Sequence, residues 1–152
     1  MQIKKCQWIS RPEKVKIFSS SSLCFESKTK HALLYTFEEE GELTLEWVSD
    51  KAVDISAIFI NSINEGIKFQ FKDESITKTL TINTLKTVDY LPLKPNKVMK
   101  IIKKGTKLSF YANELLLSEY ERENVGSSVS LGLLSEGEGK VTFSFRFCPI
   151  LG

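Results

Sequence analysis

Apolar and polar residues alternate one by one along much of the chain. In Glu42-Leu43-Thr44-Leu45-Glu46-Trp47, the residues Leu43, Leu45 and Trp47 fall on one side and Glu42, Thr44 and Glu46 on the other. Ile67, Phe69 and Phe71 alternate with Lys68, Gln70 and Lys72, and Val141, Phe143, Phe145 and Phe147 with Thr142, Ser144 and Arg146. Successive side chains of a strand point to opposite faces, so each stretch predicts a strand with one face in a core and one in water. Shorter stretches over 14–18, 22–27, 32–37, 54–60, 76–84, 97–103, 107–112 and 129–134 predict further strands. Segment 54–60 is apolar on both faces (Ile55, Ala57 and Phe59 against Ile58 and Ile60), which predicts a central strand covered on both sides.

Turn residues separate these stretches: Glu40-Gly41, Asn61 to Gly66, Lys72-Asp73-Glu74, Lys104-Gly105 and Glu136 to Gly139. Many short strands at ~8–12-residue spacing, with no alternation of strand and helix, predict an all-β antiparallel sandwich or barrel. Segment 113–123 reads two ways. Its composition favours a helix capped by Asn113, whereas the alternation of Leu108, Phe110 and Ala112 before it needs a partner strand. The hairpin is preferred, with Ala112-Asn113-Glu114 as the turn and 115–120 as the return strand. The expected core holds Leu43, Leu45, Trp47, Phe59, Phe69, Phe71, Phe110, Leu131, Leu133, Phe143 and Phe145.

Composition narrows the function. The 152 residues fit one domain, 1–152, with no repeat or linker to divide it. Lysine and arginine number 21 against 19 acids, a balance that argues against a nucleic-acid binder. Of the basic residues only Arg11, Arg122 and Arg146 are arginine, which reads as the bias of an AT-rich bacterial genome. The longest apolar runs, Ala57 to Ile60 and Leu115 to Leu117, are far short of the ~20 residues of a membrane span, and no signal peptide opens the sequence. Cys6, Cys24 and Cys148 are odd in number and widely spaced, which fits free thiols in a reducing, cytoplasmic setting.

The last third resembles a known family. Ile101 to Asn113 (IIKKGTKLSFYAN), Ser130-Leu131-Gly132-Leu133-Leu134 and Val141-Thr142-Phe143-Ser144-Phe145 resemble the C-terminal half of concanavalin A-like lectin/glucanase sandwiches. Within that superfamily the chain looks most like a divergent member of the DUF1349 group, related to the yeast regulator of enolase. Trp8-Ile9-Ser10-Arg11-Pro12 partly matches the group's opening motif, Glu65 to Gln70 its middle strand and Val88-Asp89-Tyr90 a later segment. The resemblance implies a jelly roll of two curved sheets with its binding face on the concave one. It also implies that the first and last strands share a sheet, setting Cys6 beside Cys148. It implies no activity, because such sandwiches host lectins, glycosidases and interaction modules alike.

Glucanases of this fold carry Glu-x-Asp-x-Glu on one strand, and Glu42-Leu43-Thr44-Leu45-Glu46 resembles it with threonine at the centre. A retaining glycosidase needs two carboxyls roughly 5–5.5 Å apart. The ordinary alternative is a solvated strand face, and it is preferred here. His31 is the only histidine and is expected at the surface or in a turn. The cysteines and His31 lack the paired spacing of a zinc site, Asp50 and Asp54 lack the pattern of a calcium loop, and no cofactor motif appears. The lysines at 94, 97, 100, 103, 104 and 107 are expected on a solvated edge, paired with Glu119, Glu121 and Glu123. Trp47 shares a face with Leu43 and Leu45 and is expected in the core, which leaves Tyr90 and Tyr111 as the stacking candidates. The reading that results is a non-enzymatic module that binds a carbohydrate or a protein through Lys68, Gln70, Asp89, Tyr90 and Tyr111. The alternatives are a glycoside hydrolase using Glu42 and Glu46, or a structural module that forms a homodimer through a sheet edge.

Overall fold

The alternating stretches become strands almost wherever they occur. The computed structural model describes residues 6–50, 52–62, 65–82, 84–94, 97–121 and 129–150. In chain order the strands are β1 (Cys6–Ser10), β2 (Val15–Ser19), β3 (Ser22–Ser27), β4 (Lys30–Phe37), β5 (Gly41–Ser49), β6 (Asp54–Ser62) and β7 (Glu65–Phe71). They continue with β8 (Ile76–Ile82), β9 (Leu85–Leu91), β10 (Val98–Lys104), β11 (Lys107–Ala112), β12 (Leu115–Glu121), β13 (Val129–Glu136) and β14 (Gly139–Pro149). No helix occurs among the described residues.

Two antiparallel sheets of seven strands face each other. Sheet I runs β1-β4-β13-β6-β7-β8-β9 and sheet II runs β12-β11-β10-β5-β14-β3-β2. The core-facing residues of each strand meet between them. Phe59 and Phe69 pack on Phe110, Trp47 on Phe71, and Tyr35 stacks on Phe145 at 5.0 Å between ring centroids. All eleven residues expected in the core are buried. Such aromatics each remove a large apolar area from water, the main favourable contribution to folding.

Over its described residues, 113–121, the ambiguous segment is the hairpin. Ala112 pairs with Leu115, so Asn113 and Glu114 form a two-residue turn, both at positive φ (51° and 64°). That is the turn geometry whose twist suits a hairpin. At the β13–β14 turn, Gly137 has φ 116°, and a Cβ there would stand 2.1 Å from the Ala52 carbonyl oxygen. Only glycine lets this turn close onto the β5–β6 connection.

Several expectations are corrected. The stretch 76–84 is not one strand: β8 ends at Ile82, Thr84 takes φ 68°, and Leu85–Leu91 returns as β9. Tyr90 is therefore on a strand. Strand β6 is central in sheet I as expected, yet it is not covered on both sides: Ile58 is half-buried and Ile60 is exposed. The first and last strands do not share a sheet, because β1 edges sheet I while β14 lies inside sheet II. Cys6 pairs with Tyr35 and Cys148 with Glu42, so the two thiols are not neighbours. His31 is buried, not at the surface. Its Nε2 accepts the Lys28 backbone N–H, and its ring stands edge-on to Phe25. Lys103 is not on the solvated edge. It is fully buried on the core side of β10 and donates to the Glu38 carbonyl oxygen. Burial lowers its pKa, an effect opposed by Glu40, Glu38 and Glu39 in the β4–β5 turn. Glu123 and Arg122 lie outside the described residues.

Candidate functional site

The strand register decides which side chains stand together. On the outer face of sheet I, Gln70 of β7 is level with Ser56 of β6 and Thr77 of β8, and Thr77 with Tyr90 of β9. One step along, Ile58, Lys68, Thr79 and Val88 form the neighbouring row, followed by Thr81 and Lys86. Adjacent strands are ~4.8 Å apart, so Gln70 and Tyr90 stand ~10 Å from each other across Thr77. Tyr90 is 65% exposed. Lys68, Gln70, Thr77 and Tyr90 make no side-chain hydrogen bond or ion pair among the described residues, which leaves their polar groups open to a ligand.

Gln70 also borders a cavity of about 650 Å³ at one end of the sandwich. Three connections build its wall. The β5–β6 turn supplies Ser49, Asp50 and Asp54, the β7–β8 turn Lys72, Asp73 and Glu74, and the β9–β10 connection Lys94 and Lys97. Trp47 and Phe71, packed at 4.8 Å between centroids, close it towards the core. The walls are tied down by the backbone. Asp50 Oδ2 accepts the Lys140 N–H at 2.8 Å, the Asp50 carbonyl accepts from Val53, the Lys72 N–H donates to the Ser75 carbonyl, and the Trp47 N–H donates to the Lys97 carbonyl. A cavity of this size suits a small ligand, and its mixed carboxylates, amide and amines both donate and accept hydrogen bonds.

The five residues expected to form one site are divided. Lys68, Gln70 and Tyr90 share the outer face of sheet I. Asp89 follows the inward row of β9, level with Lys78, and the two form an ion pair at 3.8 Å. Tyr111 lies on the outer face of sheet II, in a row with Lys100, Thr44 and Arg146, on the opposite side of the sandwich. It lines a hollow of about 180 Å³ with Val98, Lys100, Asn113 and Glu114.

Glu42 and Glu46 belong to that same face of sheet II. Their positions are four residues apart on an unbroken β5 ladder, a Cα separation of ~13 Å. Glu42 forms an ion pair with Lys100 at 3.5 Å, and Thr44 between the two acids is buried. Nearby, Lys107 pairs with Glu119 at 3.5 Å, as the lysine-rich stretch predicts. Among the described residues no group of His, Cys, Asp and Glu is arranged to hold a metal ion.

The cavity acids and lysines were not legible as a set. Asp50, Asp73 and Lys97 are scattered in sequence, and only the return of three connections to one end of the sandwich gathers them. Of the three connections, only Lys72-Asp73-Glu74 carried a turn signal in the sequence.

No family model matches the chain, and no curated protein matches its sequence. Solved structures do match. A non-specific endo-β-1,3(4)-glucanase of family GH16 superposes with a TM-score of 0.65 at 9% identity, covering 95% of this chain and 84% of the glucanase. A laminarinase from Flavobacterium sp. UMI-01 gives 0.60 at 8% identity, with 99% and 95% covered. The TRIM65 PSpry domain gives 0.57 at 10% identity, with 96% and 93% covered. The fold is the concanavalin A-like jelly roll. At these identities the likeness carries the fold alone, so function rests on the residues of this chain.

Proposed function

We propose that the chain is a non-catalytic module that binds a carbohydrate at the cavity bordered by Gln70 and along the Gln70–Thr77–Tyr90 row. The observation that carries this reading is the register of β7, β8 and β9, which aligns an amide, a hydroxyl and an exposed phenol on one face with one end at the cavity. Sugar hydroxyls donate and accept hydrogen bonds together, and a pyranose presents an apolar face for an aromatic ring. Gln70 and Thr77 meet the first need and Tyr90 the second. Glu42 and Glu46 have no place in this reading. Glu42 is engaged with Lys100, and the face they share lies across the sandwich from Gln70. The same reading keeps Cys6, Cys24 and Cys148 as free thiols in a cytoplasmic setting.

Solved structures of this fold include proteins named as β-1,3(4)-glucanase and laminarinase, so β-glucan oligosaccharides are the first probes. A glycan array followed by NMR titration is the test. Binding to a glycan, weakened about tenfold or more by Gln70→Ala or Tyr90→Ala and unchanged by Tyr111→Ala, supports the reading; tenfold is ~1.4 kcal/mol. Binding lost in Tyr111→Ala but kept in Tyr90→Ala moves the site to sheet II and overturns it. Cleavage of β-glucan that disappears in Glu46→Gln overturns the non-catalytic part.

A further inference from the structure

The two sheets have four edges, and three of them are irregular. Strand β1 shifts register between Trp8 and Ser10, β2 between Ile17 and Ser19, and β12 slips at Leu117, opposite Phe110 and Tyr111. Such bulges twist an edge away and spoil it as a template for another strand. Strand β9 has none. It runs through seven consecutive pairs with β8 without a shift, it ends the order of sheet I, and all but its last residue are exposed. It also carries apolar side chains into solvent: Leu85 is 75% exposed and Val88 61%.

We infer that the chain forms a symmetric dimer by antiparallel pairing of β9 with β9 of a second copy, centred on Val88. The sequence of the edge selects both the occupant and the register. With Val88 facing its own counterpart, Lys86 faces Tyr90, Thr87 faces Asp89, and Leu85 faces Leu91. Apolar residues meet apolar ones, the lysine meets an aromatic ring, and no two like charges are opposed. A shift of the centre to Lys86 or Asp89 sets two like charges face to face, and a shift to Thr87 sets Leu85 against Asp89. A two-fold axis through Val88, normal to the sheet, keeps both outer faces on one side. It joins the two copies of sheet I into one continuous sheet and satisfies the outward backbone groups of both edges.

Sedimentation velocity over a dilution series, without ligand, tests the dimer independently of any carbohydrate. The wild-type chain is expected to sediment as a dimer. Val88→Lys places two lysines on the axis and is expected to give a folded monomer with an unchanged far-UV circular dichroism spectrum, because this side chain is exposed in the single chain. Leu116→Lys, on the bulged edge β12, is expected to leave the dimer intact. The register is read by cross-linking in a chain with Cys24 and Cys148 changed to Ser. Residues directly opposed across an antiparallel pair lie ~4.5–5.5 Å apart at Cα, within the reach of a disulfide. Val88→Cys is therefore expected to give a covalent dimer on mild oxidation. Lys86→Cys, ~13 Å from its counterpart in this register, is not. A monomeric wild-type chain, a dimer that survives Val88→Lys or is lost in Leu116→Lys, or cross-linking through Lys86→Cys in preference to Val88→Cys, overturns the inference.

Discussion

The outer faces of the two sheets are built from the same kind of strand and have different fates. On sheet II part of the polar face is paired within the protein, while Glu46, Tyr111 and Arg146 make no such pair among the described residues. Glu42 holds Lys100, Lys107 holds Glu119, Ser109 donates to Glu119, and Thr44 is buried beneath its neighbours. On sheet I, Lys68, Gln70, Thr77 and Tyr90 are left without such partners among the described residues. Charge alone would have pointed to sheet II, with its glutamates and lysines. The lesson is that a polar residue is available to a ligand when it is left unsatisfied, and not because it carries a charge. A cross-strand ion pair at the surface contributes little to stability, but it does remove both groups from the recognition surface.

The largest effects are expected beneath both faces, where the two sheets share one core, and these set the scale for the rest. Phe143→Ala should cost ~3–5 kcal/mol in denaturant unfolding, the range for truncating a buried aromatic. A loss under ~1 kcal/mol would mean that the inner and outer faces of sheet II are reversed.

The next effect is in alkali and separates the interior of sheet I from its surface. Burial pushes the Cys6 thiol from 9.0 to about 12. Burial, with Cys6 and Glu39 nearby, raises the Tyr35 phenol above its ordinary range as well. Both groups hold their protons in the folded state at pH values where the unfolded chain has released them. Their contribution is complete below pH 9 and is lost as pH rises towards 12. Lys103, lowered by burial, acts in the opposite sense, adding stability as pH rises from its lowered pKa to 10.5. The two raised groups outnumber it, so thermal midpoints should fall above about pH 9, and Cys6→Ala should flatten the start of that fall. An unchanged slope in Cys6→Ala would remove the thiol from this account. Iodoacetamide gives the complementary reading: exposed Cys148 should react well before Cys6.

The smallest effects test the comparison of faces itself. Lys100→Ala removes an ion pair whose two side chains are each 38% exposed and should cost at most about 1 kcal/mol. Gln70→Ala removes no bond within the protein and should change stability by less than ~0.5 kcal/mol while weakening ligand binding. If Gln70→Ala proves the more destabilising of the two, the distinction between a satisfied and an unsatisfied position fails.

Which residues point inward is encoded locally along the chain. Alternation is a property of one strand and needs no partner to be read, so Leu43, Phe69 and Phe143 were assignable to the core before any pairing was known. The hairpin of β11 and β12 was legible for the same reason, from the alternation that leads into Asn113 and Glu114. Strand β9 was not. All its residues but Leu91 are exposed, so no periodic core signal marks it. With β9 unread, Asp89 and Tyr90 were grouped, although neighbours on a strand must face opposite ways. Tyr111 was grouped with Lys68 because both point outward. Only the division of strands between two sheets puts them on opposite sides of the molecule. The end cavity, the Gln70–Thr77–Tyr90 row and the regular edge at β9 all depend on register and strand order. These arise from contacts between residues far apart in the chain, and no local pattern encodes them.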